Sequence, residues 1–171
     1  MKILCLIFAF FSFAANANKI AIVNFSTIEG ESKVTQNITK QIQERQEMLQ
    51  KEVKNVQDNV QKKVDDLEKS SSVLTAKALE QKKANLQKEL VQIDENLKAK
   101  AQRLENIKND TLLDLNNKIK KIVEEVAKKN GYDIALAESA AIFYDGKYDI
   151  TQDVLKELNK QIPSVKINWD K

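Results

Sequence analysis

The chain contains no histidine, and its one cysteine, Cys5, stands near the start. Proline occurs once (Pro163), tryptophan once (Trp169), and glycine three times, at Gly30, Gly131 and Gly146. Without histidine, and with no cysteine past Cys5, the usual zinc, haem, Ser-His and Cys-His constellations have neither ligands nor bases. The glycines lie too far apart to build a phosphate-cradling or dinucleotide-binding loop. Carboxylate pairs such as Asp65-Asp66 and Asp94-Glu95 fall on adjacent residues, which face different ways on a helix. No catalytic residue, metal ligand or cofactor site is therefore expected. The reading is a binding or structural protein, not an enzyme.

Aromatic residues are missing from all of the sequence between Ser32 and Gly131. A compact, pocket-building core is hard to make from such a stretch; an extended helical element is not. Charge of one sign is also missing in bulk: 28 Lys+Arg oppose 25 Asp+Glu, for a net +3. Strong nucleic-acid binding calls for a concentrated basic face, and none is visible over the whole length.

What is present begins with a leader. Met1-Lys2 is a positive start, Ile3 to Ala14 an apolar stretch, and Ala15-Asn16-Ala17 a small-x-small pattern. This predicts an export signal over 1–17, cleaved after Ala17. An uncleaved anchor is the alternative, although a span calls for about 18 or more apolar residues. No later apolar run is long enough to cross a bilayer. The exported chain has no cysteine for disulfides or thiolate chemistry.

From Glu31 to Asn130 there is neither glycine nor proline. Apolar residues at Ile38, Ile42, Leu49, Val53, Val56, Val60, Leu67 and Leu74 follow a coiled-coil seam, with Lys63 taking one slot. A second seam runs through Leu79, Leu86, Leu90, Ile93, Leu97 and Leu104, in a different heptad frame. The slip coincides with Ser70-Ser71-Ser72, whose hydroxyls compete for backbone bonds and favour turns. One unbroken helix from Lys33 to Lys129 would separate the flanking segments by roughly 145 Å. The expectation is instead an antiparallel helical-hairpin arm over 33–129, its tip near 69–76. The returning helix continues through Leu112, Leu115, Ile119, Ile122 and Val126 and ends at Asn130-Gly131.

Residues 18–32 and 130–171 flank the arm and make a small β body. Lys19 to Phe25 reads as a strand followed by a turn or one-turn helix through Thr27, Ile28 and Gly30. Asp133 to Ala137 and Ala141 to Tyr144 read as a hairpin around Glu138-Ser139. Asp149 offers an N-cap, with Gln152 as capping-box partner, for a final helix over about 150–161. The fold class is α+β, mostly α.

Lys69, Lys77, Lys82, Lys83 and Lys88 face Glu80 alone around the tip. Such a basic end can meet anionic lipid or acidic partners, while lysines also simply solvate a helix and cover apolar seams with their stems. Most seam residues pack the two helices together. Val64, Val73 and Val91 lie off the seam and are the candidate apolar contacts for a client.

Taken in order, the leader, Lys19-Ile20-Ala21-Ile22-Val23-Asn24, the charged hairpin and the closing Asp149-Ile150-Thr151-Gln152-Asp153-Val154-Leu155 resemble the Skp/OmpH family of periplasmic chaperones. The resemblance reaches to about Lys160, with 161–171 an extension beyond it. It implies a homotrimer whose strands form a barrel-shaped body, with Ile20, Ile22, Val23, Ile134, Leu136, Ile142 and Tyr144 in the trimer body. It further implies a periplasmic, ATP-independent holder of unfolded outer-membrane proteins between three arms. Two departures stand out. This chain is near neutral where the family is basic. Some members of the family carry a basic lipopolysaccharide-binding cluster on the arm, and the corresponding stretch here is largely Asn96, Asn106 and Ile107, with Lys98, Lys100 and Arg103 only nearby. The competing class is a structural coiled-coil spacer or envelope tether, with one fixed folded partner. A membrane-surface binder acting through the tip lysines is a third.

Overall fold

The computed structural model describes residues 18–170; the expected leader, 1–17, lies outside them. The first strand, β1 (Ile20–Val23), leads into a seven-residue helix, α1 (Phe25–Glu31). Asn24 caps α1 by accepting a 2.8 Å hydrogen bond from the Thr27 amide. Ser32 closes α1 and opens the next helix: its amide donates to the Ile28 carbonyl and its Oγ accepts from the Thr35 amide. That double duty explains why Ser32 is buried yet satisfied.

Two long helices follow, α2 (Lys33–Ser70) and α3 (Ala76–Lys129), joined by the turn at 71–75. The break falls within the stretch of serines where the heptad frame slips. Ser70, Ser71 and Ser72 each donate a hydroxyl hydrogen bond to a carbonyl three residues back, and Thr75 caps α3. Glu52 meets Lys100 and Lys63 meets Glu89, so successive contacts ascend α2 as they descend α3. The polar slot that Lys63 leaves in the seam is thus answered by a carboxylate on the facing helix.

At the end of α3, Gly131 takes φ +70°, a left-handed conformation that glycine adopts freely. The Gly131 amide donates to the Lys128 carbonyl and the Tyr132 amide to the Ala127 carbonyl. This is a Schellman cap, and it turns the chain into β2 (Ile134–Ala137). β2 lies parallel to β1, with Ile20 opposite Ile134 and Val23 opposite Ala137. Parallel neighbours need a long crossover, and here the whole helical pair supplies it.

Two local expectations are corrected. Ala141 to Tyr144 is not a strand, and no hairpin forms around Glu138-Ser139. Glu138–Ala140 is a 3-10 turn. The Glu138 carboxylate accepts hydrogen bonds from Asn24 Nδ2 and from Tyr144 Oη (2.8 Å), which ties the segment to the start of α1. The last helix, α4 (Thr151–Gln161), has Ile150 rather than Asp149 at its N-cap position, and Ile150 makes no side-chain cap bond. Asp149 Oδ1 accepts from the Thr151 amide at 2.8 Å, while Thr151 Oγ1 accepts from the Asn24 amide at 2.9 Å. The start of α4 is therefore pinned to β1, and an isolated bridge joins Ile22 to Asp149.

The buried core collects at this end of the molecule. Val23, Ile28, Val34, Ile38, Ile119, Val154 and Leu158 are its most enclosed members, drawn from β1 and all four helices. No residue from 43 to 106 is buried.

Candidate functional site

Beyond the core the paired helices offer surface, not enclosure. All the seam residues from Leu49 to Leu104 named above are half-buried, because a single partner helix covers only one side of each. Of the three off-seam valines, Val64 is half-buried, Val91 is 51% exposed and Val73, in the turn, is 81% exposed. Lys69, Lys77, Lys82, Lys83 and Lys88 are all exposed, and none pairs with a carboxylate among the described residues. Lys98, by contrast, is held protonated above the usual lysine range by its hydrogen bond to Asp94, one turn back.

The residues expected in the trimer body divide. Ile22 and Val23 are buried within this one chain. Ile20, Ile134, Leu136 and Ile142 are exposed, as is Phe143 beside them. Tyr144 is half-buried, and the hydrogen bond to Glu138, then burial, pushes its phenol above the ordinary tyrosine range. β2 thus carries two exposed large apolar side chains, and the 141–144 segment carries two more. On a single chain this is an unusual concentration of uncovered apolar surface.

Where α2 and α3 leave the core, a cleft of about 170 Å³ opens between them. Leu49, Leu104 and Ile107 line its apolar side, and Arg45, Glu52 and Lys100 its polar side. Trp169 also lines it, with the Arg45 guanidinium 5.7 Å from the ring centroid. Among the described residues no group of carboxylates is placed to hold a metal, and no helix is long and apolar enough to cross a membrane.

The family model described as outer membrane protein (OmpH-like) matches residues 19–158, which spans both strands, both long helices and most of α4. The chain belongs to the OmpH-like family. The chaperone protein Skp of Yersinia enterocolitica is 30% identical over 150 residues, covering 86% of this chain and 90% of that protein. Skp of Yersinia pestis is 31% identical over 142 residues, covering 83% and 86%. The crystal structure of an OmpH-like protein from Caulobacter crescentus CB15 superposes with a TM-score of 0.82 at 16% identity, over 89% of this chain and 90% of that one. That likeness is one of fold.

The sequence marks 161–171 of this OmpH-like chain only as an extension within the body, with no sign of where it docks. Residues 163–169, beyond the matched stretch, are bound to α2 through Asn37 and Gln41 and bury Ile167 in the core. The alternation Val165, Ile167, Trp169 was the available signal.

Proposed function

We propose that the chain is a periplasmic chaperone that holds unfolded outer-membrane proteins without nucleotide. The observation that carries the reading is the family match running across the core end and both long helices. In this reading 18–32 and 130–171 form a body. Three copies close a barrel through it, using Ile20, Ile134, Leu136 and Ile142, and their antiparallel hairpin arms enclose a cavity. Exposed strand edges and apolar side chains are liabilities that assembly covers. Arms with half-wet seams and no aromatic side chain present many weak apolar contacts and no tight anchor. Such a surface retains an unfolded chain yet lets it go without an energy source. Val73 and Val91 are the off-seam contacts with the most free surface.

Diluting a urea-unfolded outer-membrane β-barrel protein into buffer with a stoichiometric amount of trimer should suppress light scattering. Undiminished scattering would reject the holding role. The exposed tip lysines support a second, transient contact with anionic lipid. Replacing Lys77, Lys82, Lys83 and Lys88 with Glu should abolish co-sedimentation with anionic vesicles.

A further inference from the structure

Residues 164–168 form no helix or strand of their own. Val165, Ile167 and Trp169 turn inward, while Ser164, Lys166, Asn168 and Asp170 stay exposed. This period of two is that of a β-strand lying on an apolar surface. The surface it lies on is not a sheet but the face of α2 bearing Asn37 and Gln41, with Ile107, Thr111 and Asp114 of α3 alongside.

Two side-chain amides on that face do the work of a strand edge. The Val165 amide donates to Asn37 Oδ1 at 3.1 Å, and Gln41 Nε2 donates to the Val165 carbonyl at 2.7 Å. The Ile167 amide then donates to Gln41 Oε1 at 3.1 Å. Gln41 Nε2 also donates to Asn37 Oδ1 at 2.8 Å, which fixes the two amides relative to each other. The helix thus presents acceptor, donor and acceptor to a passing backbone, at the two-residue spacing of a sheet partner. None of these bonds reaches a tail side chain. Selectivity comes instead from the alternation: Ile167 enters the core, and Trp169 lines the cleft beside Arg45.

We infer that the face of α2 bearing Asn37, Gln41 and Arg45, with the adjoining cleft against α3, is a docking site for an extended polypeptide segment of alternating apolar and polar residues, and that the chain's own 163–169 occupies it as a mimic of such a segment. The client side of this inference rests on the holding role proposed above. Strands of membrane β-barrels alternate apolar and polar residues, so an unfolded barrel protein carries many segments of the pattern the tail displays. Reading the backbone rather than side chains makes the site tolerant of sequence within that pattern.

The tail holds its place weakly. One buried isoleucine, two half-buried side chains and three hydrogen bonds, each of modest net worth, are set against the entropy lost in ordering seven residues. Its advantage is tethering, which keeps its effective concentration high. A single short segment is outcompeted, whereas a long unfolded chain with many alternating segments displaces the tail. The site therefore favours long unfolded chains over isolated peptides.

The probe is a fluorescein-labelled peptide of residues 163–171, followed by anisotropy. A chain ending at Ile162 should bind it at least tenfold more tightly than the full chain. Grouping the peptide's Val, Ile and Trp together, or introducing Gln41→Ala into the shortened chain, should weaken binding at least tenfold. Ile167→Asp in the full chain, which undocks the tail without touching the groove, should reproduce the shortened chain's affinity and serves if that chain folds poorly. Equal binding by the full chain and by both opened forms would overturn the site. Trp169 is the sole tryptophan, so adding an unfolded barrel protein stripped of tryptophan should shift its emission to the red. Unchanged emission while scattering is suppressed would overturn the inference and leave the holding role intact. Peptide binding without any suppression of scattering would instead overturn the holding role and, with it, the client side of the inference.

Discussion

Ile38 and Leu158 are shut away from solvent, whereas Leu86 and Ile93, of similar size and on helices just as regular, keep part of their surface wet. The first pair lies where β1, α2, α3 and α4 meet; the second lies where α2 and α3 have only each other. An apolar side chain is enclosed when elements approach it from several sides, and one neighbouring helix leaves a flank open. The same residue chemistry therefore makes a core at one end and a continuous half-exposed seam at the other. A surface for transient apolar contact needs no special residues, only the absence of a third element.

The largest effect tests whether the uncovered apolar surface at the core end is an interface. Ile142→Asp together with Phe143→Asp should leave the circular dichroism unchanged, because both side chains already face solvent. In sedimentation the mass should fall from that of a trimer to that of one chain. An unchanged mass would mean these residues stay open in the assembled protein.

Next comes the contrast itself. Leu158→Ala removes a fully enclosed side chain and should cost about 2–5 kcal/mol in urea unfolding. Leu86→Ala should cost about 1 kcal/mol or less, since its surface is already partly hydrated. Equal costs would erase the distinction between the two ends. Hydrogen exchange should agree, with amides from 43 to 106 exchanging before those of β1 and α4.

The polar contact in the seam should matter less. Lys63 and Glu89 side chains are 41% and 42% exposed, so water screens their attraction. A double-mutant cycle should return a coupling of about 0.2–1 kcal/mol. A much larger value would place the pair in a drier interface than a two-helix contact provides.

Smallest is the acid response of the exposed helix pairs. The Lys128 hydrogen bond lowers the Glu124 carboxyl below its usual value, and Gln161 does the same for Glu157. A depressed carboxyl contributes stability that is present above its unfolded pKa and lost as the pH falls through its folded one. The melting temperature should stay flat from pH 8 to about pH 5 and decline slightly only below the ordinary carboxylate range.

Much of this organisation was legible locally. Ser70-Ser71-Ser72 marked the break between α2 and α3, and Gly131 marked the end of α3, because hydroxyl competition and left-handed φ are properties of single residues. Lys63 was visible as an intruder in the seam, although its partner Glu89, twenty-six residues on, was not. Ala141 to Tyr144 has the composition of a strand, yet Asn24 and Tyr144 claim the Glu138 carboxylate and turn the chain away. Asp149 offers the right side chain for a cap and its carboxylate does accept from the Thr151 amide, but Ile150 takes the N-cap position. The family resemblance places Ile20, Ile134 and Leu136 in the body; that they are exposed while Ile22 and Val23 are buried depends on which faces the helices cover.

Residue type and spacing set where the helices run and break, and leave no histidine- or cysteine-based chemistry past Cys5. Both act over a few positions. Tertiary structure alone decided that β1 and β2 lie parallel, that α4 is pinned to Asn24, and that 163–169 fold back onto Asn37 and Gln41. Each of those rests on hydrogen bonds between residues more than a hundred positions apart. Such bonds leave no local trace, because the side chains that make them are ordinary until the chain returns to meet them.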